Sequence, residues 1–165
     1  MRDMVIHDRA VRHFCTFRVE DRLYGFVLSE VREVSTGLAI TPVPHAPPAV
    51  RGLANLRSRI YLVLDLRPIL GYEPAEATPD SRLVILRPSV AESTAVLVDR
   101  GGDIVTARDS DIEPGAGHAA ALAAPAGAPA DVPAAVSAGV CKLENELMVI
   151  LDPVAIASEI ARQIR

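Results

Sequence analysis

The chain has 165 residues, half of them hydrophobic but only 4% aromatic and none of them Trp, and its formal net charge is −4. That length holds one domain or two small lobes around a sizeable core, and the core must be mainly Val, Leu, Ile and Ala. An acidic balance argues against nucleic acid, which needs a clustered basic stripe, and against electrostatic anchoring on a membrane; no apolar run approaches the ~18 residues of a membrane span.

Residues 1–11 carry alternating charge and form no signal h-region, so they read as an N-terminal extension of a cytoplasmic protein. Residues 14–19 and 23–28 are strand-like runs around Glu20-Asp21-Arg22, a hairpin with a polar turn. Ser29 to Val34 reads as a short helix with Ser29 as its N-cap. Four prolines between Thr41 and Pro48 remove ladder donors and demand a loop or an edge.

A second hairpin follows, residues 51–57 and 60–64 with Ser58-Arg59 at its turn; Asp65 then caps a short helix that Gly71 ends. A polar linker covers residues 72–80. The pattern restarts with strands at 82–87 and 94–98, then a crossover over 99–105. Residues 114–136 are Ala-, Pro- and Gly-rich with few large side chains, which predicts a mobile loop. Strands at 137–143 and 147–151 precede a helix capped by Asp152, with Val154, Ile156, Ala157, Ile160, Ala161 and Ile164 near one face.

One pattern occurs twice. Gly52-Leu53, Leu56, Ile60 and Leu62-Val63-Leu64-Asp65 match Gly139-Val140, Leu143, Leu147 and Val149-Ile150-Leu151-Asp152, each pair 87 residues apart. That offset is too long for a solenoid, whose period runs ~20–50 residues, and it indicates a duplicated half-domain. Short strands in regular hairpins, twice over, favour two small closed β-barrels and exclude a parallel α/β fold.

The chemistry-bearing residue types are sparse. Asp65 and Asp152 occupy equivalent repeat positions ahead of helices, so capping explains them better than catalysis; Asp99 is the remaining candidate carboxylate. His7, His13, His45 and His118 lack ligand spacing, and Gly101-Gly102 lacks the Lys-Ser/Thr of a phosphate loop. Cys15 and Cys141 read as small buried hydrophobes within strands. Neither a metal nor a cofactor is indicated.

The run Pro47-Pro48-Ala49-Val50-Arg51-Gly52-Leu53-Ala54-Asn55-Leu56-Arg57-Ser58, followed by residues 60–64 and Asp65-Leu66-Arg67, resembles the CheW family of chemotaxis adaptors. Tyr24-Gly25, the segment through Val31, Glu33 and Val34, Val98-Asp99, Asp103-Ile104-Val105 and residues 147–152 match in the same order. The resemblance spans residues 14–156. It implies a mainly β fold of two five-stranded SH3-like barrels, with short helices and a C-terminal helix.

On this basis residues 12–158 form a single CheW-like domain, its lobes at about 14–80 and 81–151 and its terminal helix at 152–164. The resemblance implies no catalysis and no cofactor. Its implied partners are the regulatory domain of a CheA-type histidine kinase and the cytoplasmic tip of a chemoreceptor, met at receptor arrays. The family's partner-facing positions fall on Val31, Glu33, Gly52, Arg57, Leu83 and Ile104.

Two departures bear on that reading. Ser58 stands where the family has Gly, so a turn needing positive φ becomes costlier there. The Ala/Pro-rich stretch replaces an apolar strand and motivates a rival, a decoy or array spacer that no longer binds the kinase. A rival from another class is a small ligand-binding or hydrolytic barrel using the groove between the lobes; a deep pocket joining Asp65 or Asp99 to a His would mark it.

Overall fold

The computed structural model describes residues 10–114, 133 and 135–164. The strands are β1 (Val11–Val19), β2 (Arg22–Val27), β3 (Val31–Ser35), β4 (Ile40–Thr41), β5 (Val50–Leu56) and β6 (Arg59–Asp65), then β7 (Arg82–Leu86), β8 (Thr94–Val98), β9 (Arg100–Arg108), β10 (Ile112–Pro114), β11 (Ser137–Lys142) and β12 (Leu147–Leu151). Helix α1 (Leu66–Ile69) follows β6, and α2 (Pro153–Ile164) follows β12. The mainly β class with two lobes holds. The loop reading of residues 114–136 lies outside the described residues except at the segment's ends.

Two six-stranded sheets form, in the orders β3-β7-β8-β6-β5-β4 and β9-β1-β2-β12-β11-β10. Adding six to every strand number of the first half reproduces the second, and the same step takes the second half back to the first. The duplication read in the sequence is therefore a structural one, but its halves are interleaved. Hairpin β1–β2 sits in the sheet of β11–β12, and hairpin β7–β8 in the sheet of β5–β6. The sheets thus cut across the lobe bounds of 14–80 and 81–151.

Each exchanged hairpin joins its sheet through the one parallel pair that sheet shows among the described residues. Tyr24 and Gly25 of β2 align with Val149 and Ile150, and residues 94–97 of β8 align with residues 62–65. Parallel neighbours cannot be joined by a tight turn, so this pairing requires long connections elsewhere. Neither sheet closes into a barrel. The edges β4 and β10 are two and three residues long. Pro42 follows one and Pro114 ends the other, which removes the donors a longer ladder would use.

Three apolar clusters divide the interior. Ala54, Tyr61 and Val63 pack in one lobe with Leu83, Ile85 and Leu97. Cys141, Met148 and Ile150, 87 residues further on, pack in the other with Phe14 and Leu23. A larger cluster joins the lobes, with Phe17, Tyr24 and Phe26 against Leu64, Val84 and Val96, α1 through Leu66, and α2 through Ile156 and Ile160. Phe17 and Phe26 have ring centroids 5.0 Å apart. The core is aliphatic as composition requires, yet every Phe belongs to hairpin β1–β2. Burying each ring contributes roughly 1.5–3 kcal/mol, so the exchanged hairpin is a principal fastener of the two lobes.

Both cysteines are free and buried. Helix α2 buries Pro153, Ile156 and Ile160, whereas Val154, Ala161 and Ile164 are exposed, so its apolar stripe is narrower than expected. The aspartate caps form as read. Asp65 Oδ1 accepts from Arg67 N at 3.0 Å, and Asp152 Oδ1 accepts from Val154 N at 3.0 Å. Gly71 ends α1 with φ 88°, the left-handed conformation that suits glycine.

Three local readings are corrected. Residues 29–34 are not a helix: a 3-10 turn spans Leu28–Glu30 without a side-chain cap, and β3 starts at Val31. The β-branched Val31 and Val34 suit a strand, and β7 supplies the antiparallel partner that settles it. Residues 99–105 are not a crossover but most of β9, an edge strand paired with β1. The second hairpin turns at Arg57-Ser58 rather than Ser58-Arg59, with φ of 51° and 66°. Left-handed backbone costs a non-glycine residue roughly 1–2 kcal/mol, and Asn55 Oδ1 accepting from Ser58 N at 3.1 Å offsets part of it.

Candidate functional site

The glycine of each repeat copy sits at a bulge. Register slips between Val50 and Gly52 in β5, and between Ser137 and Gly139 in β11. Their φ values are 149° and 152°. A Cβ at Gly139 would lie 2.6 Å from the Glu113 carbonyl oxygen, and one at Gly52 would lie closer still to that of Thr41. Each glycine lets a short edge strand lie against the hairpin.

At the β5–β6 tip the structure brings together two of the expected residues. Arg57, at the tip, donates through Nη1 to Glu33 Oε2 at 2.6 Å. Ser35 Oγ donates to the other oxygen, Oε1, at 3.2 Å. The hydrogen bond from Arg57 holds the Glu33 carboxyl below the ordinary glutamate range, partial burial opposes this, and the charges of Arg57 and Arg32 reinforce it. The Arg57 side chain remains 69% exposed. The pair is an accessible rim of opposite charges rather than a buried strut.

The other four expected positions lie elsewhere. Val31 is 6% exposed and belongs to the core shared by the lobes; Leu83 is 4% exposed and lies opposite Ser35 across β3–β7. Gly52 is buried beneath β4. These three shape the surface from beneath. Ile104 is 63% exposed, but it stands on β9 of the other sheet.

Between the edge strands β3 and β9 runs a groove of about 290 Å³ lined by Thr16, Val34, Arg82, Val84, Gly101 and Gly102. Val34 is 43% exposed on its β3 side. The sequence reading named Val34 only within the expected short helix and the family-like segment, and did not weigh Arg82 at all. The signal available was alternation along residues 31–35, which puts Val31 inward and leaves neighbouring positions outward. A second exposed apolar face lies on β5–β6, where Leu53 and Ile60 stand opposite Leu62 and Asn55.

The carboxylates weighed for catalysis are engaged structurally. Asp65 caps α1 and binds Arg51 Nη1 at 2.9 Å. Asp99 accepts from Glu20 N at 2.7 Å and pairs with Arg67, which also reaches Glu20. Arg67 Nε donates to the Glu73 carbonyl at 2.7 Å, so one guanidinium ties the β1–β2 turn, the start of β9 and the linker together. The cleft beside Asp99 is lined by Glu20, Arg67 and Arg100 and contains no histidine. Among the described residues no group of His, Cys, Asp and Glu is placed to hold a metal.

Comparison with known proteins agrees with this architecture. The scaffolding protein TtCheW from Thermoanaerobacter tengcongensis superposes with a TM-score of 0.70 over 85% of this chain and 88% of its own, at 24% identity, a likeness of fold. The chemotaxis protein CheW of Rhizobium meliloti is 35% identical over 103 residues, covering 62% of this chain and 66% of that protein. The chemotaxis protein CheW of Bacillus subtilis is 30% identical over 97 residues, 59% of this chain and 62% of the relative. The chain therefore spans just under two thirds of the relatives' length. These relatives are named as chemotaxis and scaffolding proteins, not as enzymes. The CheW-like domain profile matches residues 13–161, nearly the whole chain. This chain belongs to the CheW-like domain family.

Proposed function

We propose that the chain is a non-enzymatic adaptor that couples chemoreceptors to a CheA-type histidine kinase in the cytoplasm, at receptor arrays. The observation that carries the reading is the family match over residues 13–161. Three features support it. Exposed aliphatic positions, Leu53 and Ile60 on one sheet and Ile104 on the other, give both lobes an apolar contact surface. The Glu33–Arg57 rim offers charge that steers and registers a partner more than it adds affinity. Among the described residues no helix is long and apolar enough to cross a membrane, consistent with a protein held at arrays by its partners.

Mechanistically, the outer aliphatic faces dock on the regulatory domain of the kinase, and the groove between β3 and β9 meets the receptor tip. An interface of standard size, ~1,600 Å², commonly supports micromolar binding, about −8 kcal/mol. Weak links of this kind act together by avidity when many sit in one array.

Calorimetric titration of the full chain with the regulatory domain of a CheA-type kinase from the same cell tests this. Saturable micromolar binding is expected. Arg57→Asp places a second carboxylate beside Glu33: loss of kinase binding puts the rim in that interface, and survival of kinase binding with loss of receptor binding puts it on the receptor side. Absence of heat with a folded sample overturns the kinase-binding half of the proposal.

A further inference from the structure

The seam between the lobes has two ends that the duplication makes counterparts, and their side chains treat them differently. The chain crosses between the sheets at Asp99, between β8 and β9, and six strands earlier at the 3-10 turn between β2 and β3. At the Asp99 crossing the residue just past β1, Glu20, donates from its backbone N–H to Asp99 Oδ2 at 2.7 Å. At the other crossing the residue just past β7, Arg87, donates from its backbone N–H to the Glu30 carbonyl at 3.0 Å. One backbone donor thus closes each end at the same place in the repeat.

Only the Asp99 end adds a clasp. Arg67 of α1 pairs there with both Asp99 and Glu20, donates through Nε to the Glu73 carbonyl at 2.7 Å, and lies 5.9 Å from the centre of the Tyr72 ring. Its side chain is nearly buried, so these charges act where water screens them least. The 87-residue offset carries Arg67 to Val154, an exposed side chain at the start of α2. Asp152, the counterpart of Asp65, lies near enough to Glu30 for its charge to add to the burial that raises the Glu30 pKa. Arg12 pairs with Asp109 beside its own sheet, and among the described residues neither Arg12 nor Arg87 pairs with Glu30 or Asp152. The cleft at the clasped end is about 270 Å³, whereas the one at the other end, lined in part by Arg12, His13, Leu28, Glu30 and Arg87, is about 660 Å³.

We propose that the seam is a one-ended hinge, pinned by Arg67 at the Asp99 end and opening and reclosing at the Glu30 end. Opening breaks the Arg87–Glu30 backbone bond and parts the end of β7 from the 3-10 turn, while the Glu20–Asp99 bond stays made. A partner that touches both sides of the opening end binds the two forms unequally and biases the equilibrium between them. The hinge is a property of this chain alone and stands whether or not the coupling role does.

Amide hydrogen exchange of the full chain, followed by NMR, reads both ends at once. The Arg87 amide is expected to show roughly tenfold less protection than the amides of Glu20 and of Asp99, which donates to the Arg18 carbonyl at 3.1 Å. Val154→Arg supplies a guanidinium at the counterpart position and is expected to raise Arg87 protection severalfold. Arg67→Val removes the clasp and is expected to bring Glu20 and Asp99 down to the level of Arg87. Unchanged protection along β5 and β6 verifies that a variant is folded, and if Arg67→Val does not fold, the native chain and Val154→Arg decide the matter. Equal protection at the two ends of the native chain overturns the inference, as does a folded Val154→Arg chain in which Arg87 exchanges as before.

Discussion

The two copies of the glycine–hairpin–aspartate unit share a backbone plan but put their charges to different use. In the first, β5–β6–α1, the tip residues Arg57 and Ser58 adopt left-handed backbone, and Arg57 reaches outward to Glu33. In the second, β11–β12–α2, the tip folds on itself, with Leu143 N donating to the Glu146 carbonyl at 2.9 Å. Glu146 is tied back to Arg18 of its own sheet at 2.6 Å. The helices differ too: four residues in α1 and twelve in α2, whose Ile156 and Ile160 seal the seam between the lobes. Duplication supplied the bulge, the hairpin and the cap. In the first copy the tip arginine is held by the edge strand β3, and in the second the tip glutamate is held by β1.

Substituting the paired glycines breaks the shared part of this plan and has the largest expected effect. Gly52→Ala forces a Cβ against the Thr41 carbonyl, and Gly139→Ala meets the Glu113 carbonyl with slightly more room. Both also hold a left-handed φ that Ala resists. Each is expected to cost about 3 kcal/mol or more in urea unfolding, Gly52→Ala the more. Equal and small losses would mean that the edge strands yield, and that the glycines are not what holds them in place.

Removing the caps separates the copies. Asp152→Ala loses a helix cap, worth about 1 kcal/mol. Asp65→Ala also leaves Arg51 without its carboxylate, although Arg51 still donates to the Ala75 carbonyl at 3.0 Å. Asp65→Ala should therefore cost more, about 2–3 kcal/mol, because a nearly buried partner is lost. Equal costs would show that the Arg51 pair contributes nothing beyond the cap.

The smallest effect is in pH dependence and compares two glutamates beside β3. Glu33 titrates below its ordinary range, so its contribution is complete above that range and is lost as pH falls through the lowered value. Arg57→Gln should move its titration, followed by NMR, back towards the ordinary value. Glu30 has the opposite sign. Burial raises its pKa and nearby Asp152 adds to this, while a backbone hydrogen bond from Val27 opposes it. Its folded form holds the proton more tightly, so stability falls as pH rises from the unfolded value through the raised one. Asp152→Asn should reduce the Glu30 shift and leave Glu33 untouched; a shift in both would place them in one coupled cluster.

Much of the fold was legible because it is local. Hairpin positions followed from alternation, and β8 and β12 lie where their patterns put them. Asp65 and Asp152 announced helices because a cap acts within three residues of itself. The 87-residue repeat and the CheW-family resemblance were likewise written in the order of residues. Tertiary structure decided what depends on distant partners. Residues 31–35 have apolar spacing compatible with either a turn of helix or a short strand, and only pairing with β7 selects the strand. That strand places Val31 inside and Glu33 beside Arg57, 24 residues away in sequence. The exchange of first hairpins between sheets, and the Arg82 groove between their edge strands, required long-range pairing that no sequence window contains, because side chains far apart in the chain meet only once both sheets are built.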